Sequence, residues 1–404
     1  MPVGAELGVP SDPPAGESVP AYGPLAPGVA VSAPLGLYIH VPFCATRCGY
    51  CDFNTYTMGE LGGSTDAGAY VRAACTEVRA ARAALAEAPP VATVFVGGGT
   101  PTLLPVDSLT ELMREVRSCF GLAPGAEVST EANPETITPQ VLDGLLAAGF
   151  TRLSLGMQSS AAHVLAVLDR VHSPGRAVAA ARAARSAGFA EVSLDLIYGT
   201  PGESAEDWDR SLDAALAAAP THISAYALVV EPGTALSRRV TRGELPGPDD
   251  DTLADRYEAA DARLAAAGLP WYEISNWGSP CRHNLGYWRS ADWWGIGPGA
   301  HSHVAGTRWW NVRHPAAYAS ALAAGRSPAQ ALEVLDEAAR REERVLLGVR
   351  LAEGLALAEV PLPARAAGLL DEGLLAPGPF AHGRLVLTLR GRLLADTVVR
   401  ALLG

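Results

Sequence analysis

Three of the six cysteines fall within eight residues, as Cys44-Ala-Thr-Arg-Cys48-Gly-Tyr-Cys51. They follow an apolar β-type run, Gly36-Leu-Tyr-Ile-His-Val41. Three thiolates on one short loop can cap three irons of a [4Fe–4S] cluster, since such clusters are held by cysteine thiolate. The missing fourth ligand would leave one iron open to a substrate, much as catalytic zinc keeps an open position. The residues also allow a zinc site completed by His40 or Asp52, or three unrelated buried thiols. CxxxCxxC is not a usual zinc spacing, so the cluster is favoured. The N-terminus carries no basic side chain before Arg47. An exported, disulfide-stapled chain is therefore not expected. Cys75 and Cys119 fall on apolar helical faces and read as core thiols.

The charged residues narrow the chemistry further. All 31 basic residues are arginine, and no lysine occurs in the 404 positions. That excludes a P-loop, a protein-kinase site and a pyridoxal-phosphate Schiff base. The net charge of −12 argues against a broad nucleic-acid surface, because nothing would attract phosphates over a wide area. No run of about 18 apolar residues is present. A transmembrane segment is thus not expected, peripheral membrane contact stays open, and a cytoplasmic location is expected.

The elements that must position these residues alternate. Strand candidates are Leu37–Val41, Ala92–Val96, Glu127–Thr130, Arg152–Leu155, Glu191–Ile197 and His222–Leu228. Helical spacing separates them over Tyr70–Glu87, Val106–Phe120, Pro139–Gly149, Pro174–Gly188 and Ala205–Ala218. Six strands alternating with helices predict an α/β architecture with a parallel sheet or open barrel. Residues 1–34, rich in Pro, Gly, Ala and Ser, read as a disordered tail. The barrel is expected over 35–268. Residues 269–332 form a Trp/His-rich extension, since seven of the eight tryptophans lie between Trp271 and Trp310. Residues 333–404 are expected as a C-terminal α+β, winged-helix-like accessory domain. Its helices would be Glu337–Leu351, Leu362–Glu372 and one from Leu393, with a β-like pair at Leu375–Pro377 and Arg384–Leu389.

CxxxCxxC after the first strand of an alternating βα chain resembles the radical S-adenosylmethionine (SAM) superfamily. Further motifs follow in order: Tyr38-Ile-His-Val-Pro-Phe-Cys44, Gly97-Gly-Gly-Thr-Pro101, Glu131-Ala-Asn-Pro134, Ser154-Leu-Gly-Met-Gln158, Asp195-Leu-Ile-Tyr-Gly-Thr-Pro-Gly202 and Glu231-Pro-Gly-Thr234. Together they resemble the oxygen-independent coproporphyrinogen III oxidase family, and within it the HemW-like branch of heme chaperones. The resemblance implies a partial (β/α)6 barrel. It implies a [4Fe–4S] cluster on Cys44, Cys48 and Cys51. It also implies SAM contacts from Tyr38, Tyr50, Gly98, Gly99, Thr100, Glu131, Gln158, Arg170 and Asp195. The residues alone allow a tight βα turn at Gly97–Gly99 and ordinary polar loop roles for the others. Glycines there would let backbone approach a ligand closely, and residues at strand C-termini of a βα barrel converge on one mouth.

The oxidases carry another cysteine two positions beyond the third ligand. Here that position is Phe53, which puts porphyrinogen decarboxylation, and enzymatic activity itself, in doubt. The chaperone-like branch has an HNxxYW element, matched by His283-Asn284-Leu-Gly-Tyr287-Trp288 after Cys281. Imidazole and thiolate can both ligate heme iron. The resemblance therefore implies a heme site at His283, Tyr287, Trp288 and Cys281; packing of the barrel end is the plainer reading of the same residues. The implied function is a chaperone that binds heme and delivers it to a client hemoprotein such as a respiratory enzyme, with a one-electron donor as a further partner. The alternatives are a coproporphyrinogen III oxidase and a non-catalytic zinc-stabilised interaction protein.

Overall fold

A computed structural model describes residues 16–404 apart from 20–22, 26–28, 32–33, 62–65, 86 and 174. All six expected strands are present: β1 (Leu35–Val41), β2 (Val91–Gly98), β3 (Leu122–Ala132), β4 (Arg152–Gln158), β5 (Glu191–Tyr198) and β6 (His222–Ala227). They pair in parallel in sequence order. Their apolar runs are buried on both faces, as parallel strands under helices must be. The crossovers are α1 (Ala67–Ala84), α2 (Val106–Phe120), α3 (Pro139–Ala147), α4 (Arg176–Ala187) and α5 (Ala205–Leu216), with α6 (Asp250–Ala266) after β6. In α2, Leu109, Leu112, Met113, Val116 and Phe120 recur at three- and four-residue steps and are buried as one stripe. Local signals fix the helix ends. Asp66 caps α1 by accepting from the Ala69 amide, Ser204 and Asp207 form a capping box on α5, and left-handed Gly188 stops α4.

The Trp/His-rich extension belongs to this same sheet and supplies both of its flanks. Antiparallel β7 (Trp271–Glu273) and β8 (Asn276–Gly278) lie beyond β6. On the opposite side β9 (Asp292–Ile296) pairs in parallel with β1, and β10 (His301–Val304), β11 (Thr307–Asn311) and β12 (Ala329–Val334) continue antiparallel. The two flanks do not pair with each other, so the thirteen-stranded sheet is an open barrel. Between β8 and β9 the chain must cross from one flank to the other. It does so through α7 (Arg282–Trp288), which carries the HNxxYW element.

The expected tail, 1–34, falls largely outside the described residues. Within it, Glu17–Ser18 pairs antiparallel with β12, Leu25 is buried, and Val29 bridges Leu85. The C-terminal residues have a core of their own, including Val345, Val349, Leu369, Leu385 and Val398. The strand pairing there has one more partner than expected. The expected pair does meet, at an antiparallel bridge between Leu375 and Leu387 with the Ala376 amide donating to Val386 (2.8 Å) and Thr388 to Leu374 (3.0 Å), and Arg384–Leu385 pairs in addition with Leu355–Ala356. Leu355–Ala356 is too short for an alternating pattern to mark it. Among the described residues no helix is long and apolar enough to cross a membrane.

Candidate functional site at the barrel mouth

The C-terminal ends of the strands surround a cavity of about 320 Å³. Cys44, Cys48 and Cys51 line it on one side; Gly98, Gly99, Thr100, Glu131, Gln158, Arg170 and Asp195 line the rest, with Tyr50 beside the thiols. Residues from 44 to 195 thus meet in one space because parallel strands all end at the same rim.

The cysteine loop is held from several sides. Gly49 donates to the carbonyl of Leu168 (3.0 Å), and its own carbonyl accepts from the Leu236 amide (2.8 Å). A side chain at Gly49 would collide with the Asp169 carboxylate. Asn54 donates through Nδ2 to the carbonyls of Pro298 (3.0 Å) and Arg313 (2.9 Å), tying the loop to the far flank of the sheet. The glycine loop after β2 is stitched to the same segment: Gly99 donates to Val41 (2.8 Å) and Thr100 to Phe43 (2.7 Å). Gly98 has φ 113°, and a Cβ there would lie 2.7 Å from the His40 ring. A Cβ on Gly99 would collide with the Phe43 carbonyl oxygen and approach Cys44 Sγ to 2.9 Å. The glycines are thus required by backbone approach to the cysteine loop itself.

All three thiols are free and half-buried. Burial pushes Cys51 up to about 12 and raises Cys44 as well, so both are neutral thiols unless a cation offsets the desolvation. Arg170 supplies one such charge: its Nη1 donates to Cys48 Sγ at 3.5 Å and its Nη2 to the Gly156 carbonyl at 3.2 Å. Among the described residues no three His, Cys, Asp or Glu side chains converge on one metal-ion position. Three thiols lining one cavity are the donor set of a multi-iron cluster, where each thiolate binds its own iron.

The polar groups opposite the thiols are buried and oriented. Glu131 Oε2 accepts from the Gly98 amide (2.9 Å), and burial raises its carboxyl to about 7. Asp195 accepts from the Ser154 hydroxyl at 2.8 and 2.9 Å. Gln158 sits after a bulge at Gly156 with φ 62°, a left-handed conformation uncommon for a non-glycine residue. Such strain clusters at functional sites. Asn54 and Ser154 were not singled out in the sequence; a polar residue three positions past Cys51, and one opening the Ser154–Gln158 motif, were the available signals.

Tyr38 lies deeper than the other expected cofactor contacts. It lines a second, deeper cavity of about 90 Å³ inside the barrel, with its hydroxyl 3.0 Å from His40 Nδ1. The two cavities adjoin: Phe53, at the position where the oxidases have cysteine, lines both, as do Gly98, Glu131, Ser154, Asp195 and Tyr226.

The HNxxYW residues are brought together, but at the opposite end of the barrel from the cysteines. Nδ1 of His283 is hydrogen-bonded to the Thr93 hydroxyl (2.8 Å) and Nε2 to the Tyr287 hydroxyl (2.8 Å). The residue is 3% exposed, and burial lowers the imidazole to about 3. Cys281 is buried against Glu127, 3.4 Å from its Oε1, and is raised to about 12. Glu127 in turn receives Arg152 Nε at 3.1 Å in a buried ion pair. Trp288 points the other way and packs on Leu347 and Leu351 of the C-terminal unit. In this arrangement both nitrogens of His283 are hydrogen-bonded, Cys281, His283 and Tyr287 line the deeper cavity, and the element joins barrel to accessory unit.

Comparison with known proteins agrees with this architecture. Residues 38–215 match the model of the radical SAM superfamily. Heme chaperone HemW of Mycobacterium tuberculosis is 58% identical over 94% of this chain and 97% of its own length. Heme chaperone HemW of Bacillus subtilis is 33% identical over 91% of this chain and 98% of its own. In fold, the chain is similar to Escherichia coli coproporphyrinogen III oxidase HemN, with TM-score 0.78, 24% identity and coverage of 91% and 90%. This chain therefore belongs to the HemW family of the radical SAM superfamily.

Proposed function

We propose that this protein is a heme chaperone that holds a [4Fe–4S] cluster on Cys44, Cys48 and Cys51, binds SAM in the upper cavity, and delivers heme to a client hemoprotein. The observation that carries this reading is the near full-length 58% identity to a protein named heme chaperone HemW. The convergence of three free thiols on a cavity with buried polar walls supports the cofactor assignments.

Each residue has a role that its surroundings suit. The three thiolates ligate iron, and Arg170 at Cys48 offsets their negative charge. Gly98, Gly99 and Thr100 would present backbone to the methionyl group, Glu131 and Asp195 would accept from its hydroxyl or ammonium donors, and Gln158 lines the same cavity. Glu131, raised by burial, is stabilised in its charged form by a cationic ligand. When bound, the cluster supplies the electron that cleaves the sulfonium of SAM in this superfamily. Phe53 fills the position of the additional oxidase cysteine with an apolar ring and supports transfer of heme over porphyrinogen decarboxylation.

Anaerobic reconstitution followed by iron, sulfide and heme measurement tests the reading. The expected result is about four irons and four sulfides per chain, loss of both in Cys48→Ala, and heme binding by the wild type followed by transfer to an apo-hemoprotein. Zinc without sulfide, absence of heme binding, or robust protoporphyrinogen formation would overturn it.

A further inference from the structure

One row of polar side chains crosses the inside of the barrel. Ser154 on β4, Ser193 on β5 and His222 on β6 are register partners across three parallel strands. All three line the deeper cavity, together with Tyr272 of β7. Asp195 lies two residues beyond Ser193 and on the same face of β5, since side chains alternate along a strand. Asp195 lines both cavities, whereas Ser193, His222 and Tyr272 line only the deeper one. The row therefore leads from the barrel interior to a residue of the upper site.

The hydrogen bonds along the row run in one direction. Ser193 has a single hydroxyl proton, which it donates to Asp195 Oδ1 at 3.4 Å. Its oxygen is then the acceptor for His222 Nδ1 at 2.7 Å. Burial and the charge of Arg152 hold the His222 imidazole well below its ordinary range, so the ring is neutral and carries one N–H. With that proton on Nδ1, Nε2 offers a lone pair to the Tyr272 hydroxyl at 3.0 Å. The Tyr272 oxygen in turn accepts from the Cys281 amide at 3.3 Å. The opposite tautomer would aim two N–H groups at that oxygen and draw the Ser193 proton away from Asp195.

Resting on the SAM reading of the upper cavity, we propose that Ser193, His222 and Tyr272 are positioning residues that act through Asp195. Two hydroxyls, those of Ser154 and Ser193, donate to its carboxylate. The His222 tautomer, set by Tyr272, keeps the Ser193 proton directed there. The carboxylate is thus oriented before a hydroxyl or ammonium donor of SAM arrives, and less ordering remains to be done on binding. Because none of the three lines the upper cavity, their effect on SAM passes through Asp195.

Anaerobic equilibrium dialysis of labelled SAM tests this on the reconstituted full-length protein, Ser193→Ala, Asp195→Asn and the double variant. Ser193→Ala is expected to weaken SAM binding by about three- to tenfold, the worth of one hydrogen bond, with iron content unchanged. In the Asp195→Asn background the same substitution is expected to change affinity by less than about twofold, because the residue it acts through is already altered. A general packing defect would cost as much in either background. A second readout is the tautomer itself. In 15N-histidine-labelled protein one neutral ring is expected to carry its proton on Nδ1 and to shift its Nε2 resonance in Tyr272→Phe. Wild-type affinity in Ser193→Ala, an equal loss in both backgrounds, or an Nε2 proton on the ring that responds to Tyr272→Phe would overturn the positioning role and leave the cofactor reading standing. Wild-type protein that binds no SAM would overturn both.

Discussion

Thr93 on β2 and His283 at the start of α7 are hydrogen-bonded across 2.8 Å, 190 residues apart in sequence. The contact closes the lower end of the open barrel. It also keeps His283 neutral, because a buried imidazolium would lack both water and a counter-charge. The folded-state value of about 3 is below the ordinary 6.5. The unfolded chain therefore binds the extra proton between these limits. The contribution of His283 to stability is fully present above about pH 6.5 and is lost as pH falls toward 3, at up to about 1.4 kcal/mol per pH unit. Urea unfolding at pH 7 and pH 5 should show a smaller drop in His283→Gln than in wild type. An equal drop in both would remove the assignment of His283 as a buried neutral plug.

Glu77 predicts the opposite sign. It is buried behind the cysteine loop, where Oε2 accepts from Tyr318 (2.5 Å) and Gly297 (2.8 Å) and Oε1 from Asn311 Nδ2 (2.7 Å). Burial raises it to about 7, so its contribution is greatest below about pH 4.5 and is lost as pH rises through 7. Glu77→Gln should stabilise the protein at pH 8 relative to pH 5 by about 1–3 kcal/mol against wild type. A pH-independent difference between the two proteins would contradict this account.

Gly99→Ala should damage the site more than the fold. The new methyl meets backbone at Phe43 and sulfur at Cys44, which cannot both retreat without moving the cysteine loop. Overpacking of this kind costs about 1–3 kcal/mol. Iron retained after gel filtration should fall well before secondary structure changes. Wild-type iron content with normal SAM affinity would show that the loop has slack.

Trp288→Ala should loosen the C-terminal unit. The ring is 2% exposed and bridges α7 to Leu347 and Leu351. Truncating such a tryptophan costs about 3–5 kcal/mol. Limited proteolysis should then cut between the barrel and residues 337–404 while the cluster survives. Unaltered resistance would mean that the Arg392–Asp261 ion pair, at 2.7 Å through both guanidinium arms, holds the junction by itself.

Local chemistry was written plainly along the chain. The Cys44–Cys51 spacing, the glycines at 97–99 and the alternation of strand and helix each depend on nearby residues, so the cysteine loop and all six parallel strands could be placed beforehand. The mouth-lining residues Glu131, Gln158, Arg170 and Asp195 were legible through family resemblance, because strand C-termini must converge once the sheet is parallel. Long-range placement was not legible. The motif His283–Trp288 has the composition of a heme site. Only the chain's need to cross from β8 to β9 puts it under the barrel, where Thr93 and Tyr287 take both imidazole nitrogens. Tyr38 went to the deeper cavity for a similar reason: side chains alternate along β1, and its register on the sheet decides which level each one faces. The meeting of Leu103, Val171 and Val229 at the upper cavity had no sequence signature at all. Single apolar residues in separate loops acquire meaning only when folding brings their loops to one rim.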